Sequence, residues 1–356
     1  MLMGRRLELL GFGNALVDIE FSVTDSELAA TGLRKSGMTL ADRQRQQHLF
    51  RTLLAKHPGR QSSGGSAANT IVAYAQFGGI AGYISALGQD NEAEFYSAEF
   101  ERFGIALFAE RLPTEPTGTC LVLITPDGER TMQTYLGASD CFERSMFDPR
   151  WLDSTQWLYL EGYKLTSSAG ADAVFEMVHQ ARRRGVQVAL SMSDVFVVTT
   201  CRDMLAELLP QIDMLFCNDR EGRAYVGTDD RKEAFLALSA AVPNLAFTLG
   251  PDGSILSVGG QVVRIPAYPV KVLDTNGAGD MYAGALLYGL LHGWGIERSG
   301  HAASRAAAQI VAQYGARYHG DHRQLIERVE AVQRDGEEPT LLAGSTEPND
   351  ASNSPS

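Results

Sequence analysis

Asp274-Thr275-Asn276-Gly277-Ala278-Gly279-Asp280 runs without a break into residues 281–291, a stretch of small and apolar residues of helical length. Gly277, Ala278 and Gly279 carry little or no side chain, so they leave backbone N–H groups bare where the helix begins. Those orphan donors, together with the positive end of the helix dipole, make a seat for an anion. A phosphoryl group in transit is such an anion, and Asp280 stands beside it. The same field is expected to keep Asp280 ionised, ready to take the proton of an alcohol as its oxygen bonds to phosphorus. Phosphoryl transfer asks mainly for positioning and electrostatics, so a weak base suffices. A lone Asp here would read as a helix cap. The preceding Gly-Ala-Gly and Asp274 favour the chemical reading.

Outward from this turn, residues 82–87, 157–162, 186–191, 213–217 and 245–249 are short apolar runs separated by segments of helical length. That alternation predicts an α/β fold with a mostly parallel central sheet flanked by helices. Residues 7–11 read as a buried opening strand. After them Val17, Ile19, Phe21 and Val23 alternate with Asp18, Glu20 and Ser22, a half-buried strand with one polar face. Residues 120–125, the turn Pro126-Asp127-Gly128 and residues 130–136 read as a β-hairpin. The expected organisation is a large unit (residues 1–13, 45–111 and 139–334) carrying a small β-sheet lid in two pieces (14–44 and 112–138). Residues 335–356 are rich in Gly, Glu, Pro, Ser and Asn and are expected to form a disordered tail.

The 356 residues are 44% hydrophobic and 21% charged, an ordinary globular composition. The formal net charge of -12 argues against a nucleic-acid partner, because phosphate backbones are gripped by clustered Lys and Arg. It does not argue against a nucleotide, whose phosphates backbone N–H groups can hold. Cys120, Cys141, Cys201 and Cys217 form no CxxC pair and are too sparse for a disulfide framework, so they read as reduced thiols of a cytoplasmic protein. No run of about 18 apolar residues occurs, and the opening Met1-Leu2-Met3-Gly4-Arg5-Arg6 leads into a strand rather than a signal-peptide core. No membrane association is expected.

Residues 274–280 resemble the C-terminal signature of the ribokinase (PfkB) family of carbohydrate and nucleoside kinases. Gly64-Gly65-Ser66-Ala67-Ala68-Asn69-Thr70, leading into a helix that stops at Gly78-Gly79, resembles that family's other signature. The likeness implies a ribokinase-like fold with its β lid, and ATP and Mg2+ as cofactors. It implies Asp280 as the base, with Gly277, Ala278 and Gly279 around the transferred phosphate. Asp18 matches the carboxylate that bonds two sugar hydroxyls. Gly64 and Gly65 would permit close approach of the sugar, and Asn69 would offer its amide to another hydroxyl. Asn218-Asp219-Arg220-Glu221 matches an Asn-x-x-Glu element, in which Asn218 serves phosphate and Glu221 hydrated magnesium. Read as chain geometry alone, Asn218 is also a strand-to-helix cap. Thr248-Leu249-Gly250-Pro251-Asp252-Gly253 matches a turn near the phosphates and ribose of ATP, giving Thr248, Gly250 and Gly253 nucleotide roles alongside Asn276. Asp274 resembles a residue that binds a potassium-type (K+) ion. Arg130 sits where adenosine-kinase-like lids carry a basic residue that reaches the transferred phosphate. Independently of the likeness, Asn218, Thr248 and Gly250 fall just after predicted parallel strands, where open α/β sheets bind ligands.

Thr117-Gly118-Thr119-Cys120 and Asn276 look more like the adenosine kinases of this family than its sugar kinases. The expected reaction is therefore transfer of the γ-phosphoryl of ATP to the 5′-hydroxyl of a purine nucleoside, adenosine first. A free sugar of the ribose, fructose or 2-keto-3-deoxygluconate type is the alternative. Tyr135, Phe21 and Phe12 are candidate walls for a base. Gly11-Phe12-Gly13-Asn14-Ala15-Leu16 lacks the third small residue of a dinucleotide fingerprint and precedes a strand, which sets a dehydrogenase aside. The chain contains no P-loop motif, and its seven histidines include no HExxH. A silent sensor would have lost its base, whereas Asp280 is present. Monomer and homodimer both stay open, because an exposed lid edge can pair with another subunit.

Overall fold

The computed structural model describes residues 6–318, 320, 326 and 327, so the expected tail over 335–356 lies outside the described residues. The strands are β1 Leu7–Phe12, β2 Leu16–Ser22, β3 Met38–Leu40, β4 Arg60–Gly64, β5 Ala81–Gly88, β6 Ala106–Leu112 and β7 Gly118–Ile124. They continue with β8 Arg130–Tyr135, β9 Thr155–Glu161, β10 Gln187–Ser191, β11 Met214–Asn218, β12 Leu245–Thr248, β13 Ser254–Val258 and β14 Gln261–Ile265.

Nine of them form one sheet in the order β14-β13-β12-β11-β10-β9-β1-β5-β6. From β12 to β6 every pairing is parallel, and the antiparallel hairpin β13–β14 closes one edge. All eight residues of β5 are buried, as a strand covered on both faces requires. Alternate residues of β1 supply the two faces. Leu9 belongs to the core shared with helices Ser66–Gln76, Ala278–Leu291 and Ile296–Val311, and Leu10 and Phe12 to the core shared with helix Ser168–Arg184. Helix Ala278–Leu291 buries eight of its residues because it lies between two other helices and the sheet.

The other five strands form the small sheet, ordered β3-β8-β7-β2-β4. The expected hairpin is β7–β8, with Thr119 opposite Tyr135 and Ile124 opposite Arg130. Val17, Ile19 and Phe21 of β2 are buried, sharing a core with Leu28, Leu49 and Leu53 of two covering helices. The small sheet uses one segment more than the sequence suggests, because β4 comes from residues 60–64 of the range assigned to the large unit. Arg60-Gln61-Ser62-Ser63-Gly64 has no apolar alternation to announce a strand; its pairing with β2 makes it one. Likewise β3 is three residues long and wholly exposed. Among the described residues no helix is long and apolar enough to cross a membrane.

Candidate active site

The carboxyl ends of β9, β10, β11 and β12, the segment after β1, and the facing side of the small sheet enclose a cavity of about 440 Å³. Three helices begin on its wall: Ser66–Gln76, Asp219–Val226 and Ala278–Leu291. Helix starts at this edge are where open α/β sheets hold anions, although here Glu161 takes the Ala67 N–H and Asn218 the Glu221 N–H.

Asp280 is the third residue of helix Ala278–Leu291 and faces the cavity, partly buried. Ser66 Oγ donates to its Oδ1 at 2.7 Å and Asn69 Nδ2 to its Oδ2 at 3.1 Å. Burial pushes this carboxyl up to about 6, while those two hydrogen bonds and the Arg317 charge pull it down. The expectation of a carboxylate held ionised by the helix field is thus modified: burial outweighs the field. It still leaves the group mostly ionised at neutral pH, near the value that suits proton transfer there.

Asp18 stands on β2 between Ser62 of β4 and Cys120 of β7, and it too faces the cavity. Burial raises it to about 7; Arg317 opposes that shift and Glu20 adds to it. Gly64 lies so close that a Cβ there would stand 2.5 Å from Asp18 Cγ, which makes its bareness a requirement of space. On the opposite wall Asn218 caps helix Asp219–Val226 reciprocally with Glu221. Glu221 N–H donates to Asn218 Oδ1 at 2.9 Å, and Asn218 N–H and Nδ2 donate to the Glu221 carboxylate at 2.9 and 2.6 Å. Burial raises Glu221 to about 7, the Asn218 N–H lowers it, and nearby Asp194 raises it further.

Residues 33–322 match the model of the pfkB family carbohydrate kinase. The chain belongs to this family. It is 27% identical to adenosine kinase of Saccharomyces cerevisiae over 87% of this chain and 96% of that protein. The crystal structure of adenosine kinase from Sinorhizobium meliloti superposes with a TM-score of 0.83 at 30% identity, covering 91% of this chain and 99% of that one. That of a probable sugar kinase from Rhizobium etli gives 0.84 at 28% identity over 92% and 99%. As a pfkB-family kinase the chain is a phosphotransferase acting on an alcohol group.

Within this pfkB architecture, Asp280, Gly277, Gly279, Asp18, Gly65, Asn69, Asn218, Thr248, Asn276 and Glu221 all line the one cavity, with Gly64 against Asp18. Ala278, Gly250, Gly253, Arg130 and Asp274 are not on its wall. Gly250 and Gly253 instead shape the turn from β12 to β13. Arg130 is a clear departure from expectation. Its side chain is 8% exposed and lies 2.7 Å from Glu20 of the same small sheet and 2.9 Å from Asp274 of the turn, so two acids hold it. Asp274 is correspondingly occupied: it accepts from the N–H of Asn276 at 3.0 Å and of Gly315 at 2.9 Å and faces Arg130. A carboxylate already facing Arg130 and two N–H donors does not fit a potassium-type ion.

The candidate aromatic walls also lie elsewhere. Phe12 packs on Phe142, Phe21 on Phe50, and Tyr135 donates to Glu115. The apolar lining comes instead from Leu16, Met38, Leu40, Leu136, Tyr163 and Phe196. Sequence reasoning also missed Glu161, which lines the cavity at the end of β9. Its carboxylate accepts from Asn14 Nδ2 and from the Ala67 N–H, both at 2.9 Å. Behind it the buried Lys164 donates to Ser139 O at 2.5 Å and to Asn14 Oδ1 at 3.4 Å. A charged residue closing an apolar strand run was the available signal for Glu161.

Proposed function

We propose that this chain transfers the γ-phosphoryl group of Mg-ATP to the 5′-hydroxyl of a purine nucleoside, adenosine first among them. The observation that carries the reading is the division of one cavity into three chemistries. Asp18 and Asn69, with Gly64 against Asp18, offer polar groups suited to a ribose diol; Tyr163, Phe196, Met38, Leu40 and Leu136 offer apolar surface suited to a flat base; and Asp280 stands in the first turn of helix Ala278–Leu291, bonded by Asn69. About 440 Å³ is in the usual range of roughly 300–1,000 Å³ for small-molecule sites. The adenosine kinases among its relatives point the same way.

In the proposed reaction Asp18 accepts hydrogen bonds from both members of the ribose diol and so fixes the 5′-oxygen. That oxygen forms a bond to the γ-phosphorus as the bond to the β,γ-bridging oxygen breaks and ADP leaves. Asp280 receives the hydroxyl proton and later returns it to solvent. The N–H groups of Gly277 and Gly279, both on the cavity wall, hold the charge spread over the phosphoryl oxygens, a stabilisation that preorganised donors supply without reorganisation. Asn218, Thr248 and Asn276 face the nucleotide. Both Glu221 oxygens already accept from Asn218, so Glu221 suits a magnesium ion that keeps its waters, and Asp194 beside it favours a cation there. Bound magnesium would screen the phosphate charges. A cytoplasmic setting belongs to the same proposal, supported by four unpaired cysteines.

Glu161 favours one second reading, because a carboxylate on the wall also suits a hydroxyl-rich free sugar. The test is an ADP-release screen with adenosine, inosine, guanosine, ribose, fructose and 2-keto-3-deoxygluconate. Adenosine is expected to give the highest kcat/KM. Turnover confined to a free sugar would overturn the nucleoside assignment.

A further inference from the structure

Arg317 enters the site from the far end of the chain. The turn at residues 274–280 positions it: Gly315 N–H donates to Asp274 at 2.9 Å, and Ala316 packs so tightly on Gly277 that a Cβ there would stand 2.6 Å from Ala316 Cα. Gly277 also has φ 74°, so both its conformation and its space exclude a side chain. With residues 315 and 316 docked beneath the turn, Arg317 extends under the cavity floor at 7% exposure.

There its Nε donates to Asn69 Oδ1 at 2.9 Å and its Nη1 to Ser63 Oγ of β4. An amide whose oxygen is held by a donor must turn its nitrogen the other way, and Asn69 Nδ2 accordingly donates to Asp280. The guanidinium charge is only loosely matched: it lies 5.8 Å from the centre of the Phe100 ring and makes no close ion pair among the described residues. Glu99, the closest carboxylate, is 3.8 Å from Nη1 and gives the same oxygen to the Ser63 N–H at 2.7 Å, while Nη2 is buried with no partner among the described residues. Among the same residues Arg130 also leaves its buried Nε without a hydrogen bond, but it has carboxylates at 2.7 and 2.9 Å, closer than any that Arg317 has.

We propose that Arg317 is a positioning residue for the transfer step: it orients the Asn69 amide towards Asp280 and supplies a buried cation facing the Asp18 and Asp280 carboxylates. This rests on the phosphotransfer reading above. Asp280 is also faced by Ser66, Asn69, Tyr159, Glu161 and Tyr163. Asp18 is faced by Glu20, Arg130, Asp280, Tyr96 and Cys120. In both, Arg317 is a charge that lowers the carboxyl against its burial. Removing a positive charge raises a carboxyl, so the inactive protonated forms then persist to higher pH.

The experiment is the pH profile of kcat and kcat/KM, on the best substrate of the screen, for wild type, Arg317→Met and Arg317→Lys. Arg317→Met is expected to move the acid limb up by about one pH unit, an extra loss at pH 6, relative to its own plateau, of about fivefold in kcat and about tenfold in kcat/KM. Arg317→Lys keeps the charge but not the planar fork. Its limb is expected to stay in place while kcat falls about tenfold and KM for ATP is unchanged. A loss in Arg317→Met that is the same at every pH would reduce Arg317 to a packing role. If that variant does not fold, Arg317→Lys decides alone: full kcat, or a limb shifted by a unit, overturns the proposal. A wild-type protein that phosphorylates no alcohol at all would remove the phosphotransfer reading, and this inference with it.

Discussion

Replacing Gly64 with alanine adds a single methyl group where the structure leaves no room. Its carbon would arrive 2.5 Å from Asp18 Cγ and Oδ2. Gly64 is opposite Leu16 in the β2–β4 pairing, which anchors the backbone on both sides. Relief comes either from moving β4, a strain of about 1–3 kcal/mol as for other overpacked sites, or from rotating the Asp18 carboxylate away from the cavity. In the second case the substrate loses at least one charge-assisted hydrogen bond, worth about 1.5–3 kcal/mol. At 1.4 kcal/mol per decade that is roughly a 10- to 150-fold fall in kcat/KM for the nucleoside. Steady-state kinetics with the nucleoside varied at saturating ATP reads the fall directly, and a melting curve shows whether strain was stored in the fold. The loss should appear in KM for the nucleoside, with KM for ATP unmoved. A Gly64→Ala protein with wild-type kcat/KM and an unchanged Tm would show that Asp18 does not touch the acceptor.

Asp280→Asn should retain nucleoside binding by calorimetry and lose about 10²- to 10⁴-fold in kcat, the usual range for a removed general base; wild-type turnover would exclude Asp280 as the proton acceptor. The wild-type pH profile carries its own sign. Both carboxylates act in the ionised form, so kcat should decline as pH falls through about 6 and kcat/KM from about 7, without a matching decline on the alkaline side of either value. Arg130→Met leaves Glu20 and Asp274 without their shared cation, and removing one partner of a buried pair costs about 3–5 kcal/mol. Urea unfolding should report that loss, and an unchanged midpoint would mean that the pairing contributes nothing.

The sequence made the turn at residues 274–280 legible because its chemistry is contiguous: small residues and an acid at a helix start need no partner to be recognised. The parallel strands were legible because each is a short apolar run. Other features depend on contacts that only folding creates. Ser66 reaches Asp280 across 214 positions and Arg317 reaches Asn69 across 248. The same holds for Arg130, whose two acids come from β2 and from the turn before helix Ala278–Leu291. Read alone it was an available cation; in place it is a tie between lid and body. The strands β3 and β4 were hidden for a different reason, since pairing rather than hydrophobic pattern makes them strands.

Met38, Leu40 and Phe196 remain 42%, 46% and 48% exposed although all three line the cavity. Water wets these side chains until something flat and apolar replaces it, so on the proposed reading the ligand completes a hydrophobic core that the chain leaves unfinished. Burial of apolar surface lowers heat capacity. The temperature dependence of the binding enthalpy therefore separates the two acceptor classes without any turnover: a nucleoside should show a marked negative slope, and a bare sugar, which has no flat apolar base to bury, a shallow one.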